Sequence, residues 1–159
     1  MGHYPEGKHK SALLPVLHMA QEEFGWCSVE VMDYIASLLS IKPVEVYEVA
    51  TFYSMYHMEP VGKFVLEVCH TGPCMLRGSD ELVGCLKKKL GVEVGGTSAD
   101  GMFTLKTVEC LASCGTAPMM QVDDAYYENL DTDEKVDALL DNFRANAGKK
   151  KEHVAGRTM

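Results

Sequence analysis

The sequence predicts a small α/β or α+β sheet domain preceded by a segment of three helices. In residues 1–60, apolar side chains recur at the three- and four-residue steps of amphipathic helices. After Pro60–Gly62 the pattern changes to short apolar runs separated by turn signals, which is typical of strands. We therefore expect three parts: a helical segment over 1–60, a sheet domain over 61–147, and a basic tail over 148–159 that is disordered or used for docking.

Capping residues and turn formers predict where each helix of the first segment begins and ends. Ser11 is the expected N-cap of the first helix and Gly25 its end, while Ser28 is expected to cap the second helix. Pro43 suits the first position of a third helix, which the periodicity extends to His57. The apolar stripe of the first helix consists of Leu13, Leu17, Ala20 and Phe24.

The second part reads as strand, helix, three strands and a final helix. Ser79 and Thr132 are the expected N-caps of its two helices, which end near Leu90 and Ala145. Asp123–Asp124 marks the turn of a hairpin. The predicted strands are Lys63–Val68, Phe103–Val108, Met119–Val122 and Ala125–Tyr127.

Composition and charge exclude several classes of protein. The net charge of −8 repels phosphate backbones, which disfavours nucleic-acid binding. No apolar run approaches the roughly 18 residues of a membrane span, and residues 1–10 lack the apolar core of a secretory signal. These features predict a cytoplasmic protein, in which cysteines are expected to bind metal or react rather than form disulfides.

Four of the six cysteines form two close pairs. Cys69 and Cys74 have the spacing Cys-x4-Cys, and Cys110 and Cys114 have the spacing Cys-x3-Cys. Each pair directly follows a predicted strand, so two adjacent strands would bring all four thiols to one edge of the sheet. Such pairs suit a [2Fe–2S] cluster, in which each iron takes two thiolates, and they suit structural zinc equally well. The two remaining cysteines, Cys27 and Cys85, are expected to be core residues.

Other common sites are missing from the sequence. There is no Cys-x-x-Cys for dithiol chemistry, no Gly-x-Gly-x-x-Gly between a strand and a helix, and no pairing of a nucleophile with a base. We therefore expect no catalytic residue and no nucleotide site in this chain.

The sequence resembles the thioredoxin-like [2Fe–2S] subunit of the NADH-oxidising module of respiratory complex I, the NADH:quinone oxidoreductase. The resemblance covers nearly the whole chain, including the helical segment and both cysteine loops. Its main segments are Ala20–Glu22, Gly25–Trp26, Ala50–Tyr53, Pro60–Lys63, Cys69–Cys74, Asp100–Thr104 and Glu109–Pro118. One departure is Ala112, where the family often has glycine.

The resemblance implies an α/β, thioredoxin-like domain with a mixed sheet, and it favours iron–sulfur over zinc. Matched position by position, the ligands of the [2Fe–2S] cluster fall on Cys69, Cys74, Cys110 and Cys114. The implied role is one-electron transfer beside the FMN of a partner flavoprotein that also binds NADH and a [4Fe–4S] cluster. Other complex I subunits are further implied partners, and the assembly would lie at the inner face of the membrane without insertion of this chain. Related subunits occur in NAD-reducing hydrogenases and formate dehydrogenases.

Two alternatives to a permanent electron-transfer subunit can be weighed from the sequence. A zinc-stabilised adaptor module would be colourless, whereas an iron–sulfur protein is red-brown. A free ferredoxin has no need of an amphipathic helical extension. Within that extension, Met55, Tyr56 and Met58 suit either a docking face or internal packing.

Overall fold

The computed structural model describes residues 4–148, so the predicted tail lies outside the described residues except for Gly148. The chain divides into two compact units, Met1–Val61 and Gly62–Met159. Each unit has its own apolar core. No helix within residues 4–148 is long and apolar enough to cross a membrane.

The first unit consists of three helices: α1 (Leu13–Phe24), α2 (Val29–Leu39) and α3 (Pro43–Phe52). Gly25 ends α1 with a φ of 81°, as predicted. The Ser28 hydroxyl accepts a hydrogen bond from the Val31 N–H at 3.3 Å, which confirms the N-cap of α2. Pro43 occupies the first turn of α3, and the carboxylate of Glu45 accepts the N–H of Lys42 at 2.9 Å.

Two details of α1 differ from the prediction. Ser11 is not its N-cap, because the chain enters the helix through a 3-10 turn, His9–Ala12, and no side chain caps it. Leu13 and Leu17 are buried as expected, whereas Phe24 is 61% exposed at the end of the stripe. The stripe therefore contributes to the core mainly through the first half of the helix.

The third helix ends at Phe52 rather than at His57. The residues that follow Phe52 make hydrogen bonds to other parts of the unit in place of helical ones. The Gln21 amide donates to the Met55 carbonyl at 2.8 Å, and its oxygen accepts the His57 N–H at 2.6 Å. The His57 carbonyl in turn accepts the Cys27 N–H at 2.8 Å. Residues 55–57 thus bond to α1 and to the turn between α1 and α2 instead of continuing α3.

Replacing Gln21 by Ala should destabilise the helical unit by about 1–3 kcal/mol, because two backbone groups lose their partner. Trp26, the single tryptophan of the chain, lies in this unit, so its fluorescence during urea unfolding reports on the unit directly. Glu23→Ala, at an exposed position of the same helix, is the matched control. A loss in Gln21→Ala no larger than in this control would contradict the assigned role.

The second unit contains a four-stranded mixed sheet in the order β2-β1-β3-β4. The strands β1 and β2 are parallel, while β3 pairs antiparallel with both β1 and β4. The hairpin predicted around Asp123–Asp124 is thereby confirmed. The strand bounds are β1 (Phe64–Cys69), β2 (Phe103–Val108), β3 (Met120–Val122) and β4 (Ala125–Tyr127).

A short helix that the sequence did not predict, α4 (Pro73–Leu76), follows the first strand. Directly after it comes α5 (Ser79–Leu90), whose start differs from the prediction. Ser79 is the first helical residue and not the cap, and Gly78 precedes it in the left-handed region with a φ of 98°. The two helices follow one another so closely that no extended N-cap residue fits between them.

Helices α5 and α6 (Asp133–Asn146) contribute to the same core as one face of the sheet. Side chains alternate along a strand, so Phe64, Leu66 and Val68 enter this core from β1. Thr132 caps α6 as predicted, since its hydroxyl accepts the Lys135 N–H at 3.4 Å.

Candidate metal centre

The parallel pairing of β1 and β2 brings the two cysteine loops to the same edge of the sheet. Cys69 is the last residue of β1 and is paired with Val108, two residues before Cys110. The ladder continues one step further, because the His70 N–H donates to the Val108 carbonyl at 3.3 Å. The adjacency predicted for the two strands is confirmed.

The first cysteine pair is buried. The relative exposure is 2% for Cys69 and 1% for Cys74, and both pack in a small cluster with Ala117 and Met119. The turn between them reverses the chain within a few residues, since the Cys74 N–H donates to the Thr71 carbonyl at 3.1 Å. Gly72 has a φ of 46° in this turn, a conformation that glycine adopts without steric cost.

The second cysteine pair is exposed. Cys110 and Cys114 stand on either side of a turn in which Ala112 has a φ of 60°. The left-handed conformation thus falls on a residue with a side chain, which favours it less than glycine does. The Ala112 N–H points back to the Cys110 sulfur, with an N···Sγ distance of 3.4 Å. A backbone donor is therefore directed at a candidate ligand.

The thiols are near enough to one another for their charges to interact. Burial raises the pKa of Cys74 to about 11, aided by a hydrogen bond to Cys69 and by the charges of Cys69, Cys114 and Cys110. Desolvation also raises the pKa of Cys114, together with the charge of Cys110. For Cys69, burial acts to raise the pKa, but the N–H groups of Leu111 and Thr71 outweigh it and the pKa is lowered. Backbone donors thus stabilise one thiolate, that of Cys69. Without a metal, the ionisation of further thiols at the site is unfavourable.

The donor set suits iron–sulfur chemistry. Four thiols at one edge, with backbone N–H groups directed at two of them, match the needs of an anionic cluster. Within residues 4–148, no three His, Cys, Asp or Glu side chains are grouped so as to hold one metal ion. A [2Fe–2S] cluster does not require three protein ligands around one ion, because each iron takes two protein thiolates.

The other two cysteines belong to the apolar packing of the two units. Cys27 is fully buried in the core of the helical unit, as predicted. Cys85 packs partly buried against the sheet core, and burial together with a hydrogen bond to Asp133 raises its pKa to about 11. A raised pKa keeps this thiol neutral and therefore unreactive.

The β3–β4 hairpin braces the second cysteine loop through residues that the sequence did not single out. The Tyr126 hydroxyl donates to the Leu111 carbonyl at 2.8 Å. The Glu128 carboxylate accepts hydrogen bonds from Ser113 and Thr116. These contacts join residues that are more than ten positions apart, so no local pattern could have indicated them.

The three residues of the third predicted helix that suited either docking or packing, Met55, Tyr56 and Met58, differ in burial. Tyr56 is buried and its hydroxyl donates to the Leu14 carbonyl at 3.0 Å, and Met58 packs against the same core. Met55 is 38% exposed and Phe52 is 80% exposed. The internal packing is thus carried by Tyr56 and Met58, while Phe52 and Met55 present apolar surface.

The fold and the paired cysteines are those of a small iron–sulfur protein, and comparison with known families agrees. The model of the thioredoxin-like [2Fe–2S] ferredoxin family matches residues 1–144, and the chain belongs to this family. Because that family is defined by a [2Fe–2S] cluster, the zinc interpretation is set aside.

Relatives within this family indicate a more specific class of protein, since they are named as subunits of NADH-quinone oxidoreductase. The chain is 44% identical over 141 residues to such a subunit of Rickettsia felis, covering 88% of this chain and 84% of the relative. It is 47% identical over 142 residues to the corresponding subunit of Rhizobium meliloti, covering 89% of this chain and 83% of the relative.

A solved structure supports the fold. The air-oxidised NAD+-reducing [NiFe]-hydrogenase matches with a TM-score of 0.74 and 20% identity, over 85% of this chain and 23% of that chain. This chain thus corresponds to about a quarter of the hydrogenase chain, and at this identity the likeness concerns the fold alone.

The positive φ at Ala112 generates a test with an internal control. Ala112→Gly should be more stable than Ala112→Val by about 1–2 kcal/mol, because a β-branched side chain opposes the left-handed conformation. The same pair at Ala125, an exposed strand residue, should show the opposite order, since valine favours extended backbone. The measurement is urea unfolding followed by far-UV circular dichroism. The same order of stability at both positions would contradict the strained turn.

Proposed function

We propose that this chain is the [2Fe–2S] electron-carrier subunit of an NADH:quinone oxidoreductase. The observation that carries the proposal is the convergence of two cysteine pairs at the edge formed by β1 and β2. The 44% identity to the Rickettsia felis relative, over most of both chains, supports the choice of parent complex.

Cys69 and Cys74 hold one iron, and Cys110 and Cys114 hold the other. When bound, the cluster supplies one-electron oxidation and reduction. The chain contributes four thiolates and backbone donors, which include the Ala112 N–H directed at Cys110 and the N–H groups that lower the pKa of Cys69. Such donors stabilise the negative charge that reduction adds.

The unequal exposure of the two pairs sets the direction from which a redox partner approaches. Cys69 and Cys74 are buried among apolar side chains, whereas Cys110 and Cys114 reach the surface. Electron exchange therefore takes place on the side of the second loop. Leu76, 83% exposed and two residues after Cys74, offers apolar contact area close to the site.

The partner is a flavoprotein that binds FMN, NADH and a [4Fe–4S] cluster, within a complex that contains further subunits. NADH delivers two electrons as hydride, and this chain carries no dinucleotide fingerprint that would let it accept them. The flavin of the partner divides the pair of electrons, and this chain accepts one of them. Through the complex, the chain is located at the inner face of the membrane.

The same type of subunit in an NAD-reducing hydrogenase or a formate dehydrogenase is the alternative. It uses the same four cysteines and differs in the partners. The likeness to the hydrogenase rests on 20% identity, against 44% for the quinone oxidoreductase relative, so the latter assignment is preferred.

Metal analysis tests the proposed ligands. Anaerobically purified chain should contain about two irons and two acid-labile sulfides. Cys110→Ala or Cys114→Ala should abolish the visible spectrum, because one iron loses half of its protein ligands. Cys85→Ala and Cys27→Ala are controls that should leave the spectrum intact. Stoichiometric zinc in protein never exposed to chelators would instead indicate a structural adaptor module.

The absence of a dinucleotide fingerprint predicts how the isolated chain responds to reductants. Dithionite should bleach its visible spectrum, whereas NADH should leave it unchanged until the flavoprotein is added. The measurement is the visible spectrum after anaerobic addition of each reductant. Prompt bleaching by NADH without any flavin would reveal an independent oxidoreductase.

A further inference from the structure

A carboxylate from the hairpin reaches the second cysteine loop. Glu128 directly follows β4, which pairs with β3 so that Tyr127 lies opposite Met120. The adjacent Met119 carbonyl accepts the Cys69 N–H at 3.3 Å, so this end of the hairpin lies at the cysteine edge of the sheet. The hairpin turn at Asp123–Asp124 lies at the opposite end.

Glu128 holds both sides of Cys114. One of its oxygens accepts the Thr116 hydroxyl at 2.5 Å and also accepts the Ser113 hydroxyl. The two hydroxyl oxygens lie 2.8 Å apart, so the three side chains form a closed triangle. Ser113 and Thr116 flank Cys114 and Gly115, and their positions therefore determine where the Cys114 thiol points.

The backbone beside Glu128 supports the same loop. The Asn129 N–H donates to the Thr116 carbonyl at 2.8 Å, and Asn129 has a φ of 54°, which asparagine tolerates better than most residues. The contact through Tyr126 fixes the other half of the loop at Leu111. The loop is thus held from the hairpin at three places.

The acceptors around the two hydroxyls bear on Cys114. A serine or threonine hydroxyl has one proton, and the Glu128 carboxylate is within reach of both hydroxyls, while the Ser113 carbonyl also lies 3.1 Å from the Thr116 hydroxyl. The Cys114 sulfur is not among these acceptors. The hydroxyls in turn hold the pKa of Glu128 below its usual range, so it is a carboxylate at neutral pH.

We propose that Glu128 is a positioning residue of the Cys110–Cys114 loop. It fixes the loop through Ser113 and Thr116, which slows loss of the bound cluster, and its negative charge lowers the reduction potential. This proposal rests on the cysteine ligands of the proposed function. Glu128 makes two contributions, an acceptor oxygen and a negative charge. Substitutions can remove the charge alone or both together.

The test compares three variants of the full-length chain. Glu128→Ala removes the oxygen and the charge, Glu128→Gln keeps an acceptor oxygen without the charge, and Asp124→Asn removes a charge at the far end of the hairpin. The readouts are the half-life of the visible spectrum in excess iron chelator and the midpoint potential from an anaerobic titration. Far-UV circular dichroism checks that each variant folds.

Glu128→Ala should lose its spectrum about tenfold faster than the unaltered chain, the equivalent of about 1.4 kcal/mol from lost hydrogen bonds. Glu128→Gln should retain its spectrum within about twofold, since the amide oxygen still accepts a hydrogen bond. Its midpoint potential should nevertheless shift in the positive direction, by more than that of Asp124→Asn, because a nearer negative charge has been removed.

Three results would overturn the proposal: retention in Glu128→Ala equal to that of the unaltered chain, loss in Glu128→Gln as fast as in Glu128→Ala, or a shift in Asp124→Asn as large as in Glu128→Gln. If Glu128→Ala fails to fold, the comparison of Glu128→Gln with Asp124→Asn still tests the proposal. The two variants are then compared in the half-life of the visible spectrum and in the midpoint potential. Failure of the proposed function is a separate outcome, because unaltered chain without iron and sulfide would reveal it before any variant is compared.

Discussion

The parallel ladder between β1 and β2 is the constraint on which the rest of the site depends. Neighbouring parallel strands end at the same edge of a sheet, and the register that places Cys69 opposite Val108 leaves Cys110 only two residues beyond the last pair. An antiparallel arrangement would have sent the two cysteine loops to opposite edges. The helix α5 between these strands therefore serves the site indirectly, because a parallel pair requires a crossover connection.

The antiparallel strands contribute differently. They place β3 beside β1, so that Met119 covers the buried cysteine pair and the hairpin end reaches the exposed pair. One cysteine loop is thus stabilised by apolar packing and the other by hydrogen bonds to Tyr126 and Glu128. This division follows from exposure, since a surface loop has little apolar area to bury and relies on polar contacts.

Local signals in the sequence predicted the local structure well. Ser28 and Thr132 cap helices because a capping hydroxyl needs partners only three residues away. The errors arise where other contacts compete. Gln21 bonds the backbone of Met55 and His57, which lie outside α3, and Gly78 after α4 takes the cap position, so that Ser79 is the first helical residue of α5. The cysteine pairs were visible because their spacing is local. The braces from the hairpin were not, since only the folded sheet brings Glu128 to Ser113.

The crossover between the two cysteine loops gives a bound cluster a further effect on the chain. With the proposed ligands, a cluster held by Cys74 and Cys110 would tie together segments that are separated by a whole helix and strand. Such a link acts on the unfolded chain as a covalent cross-link does, by restricting the conformations open to the enclosed loop. For a loop of this length the chain-entropy relation gives about 4 kcal/mol. Loss of the metal would then open this closed ring and leave the strand pair held only by its backbone ladder and by packing.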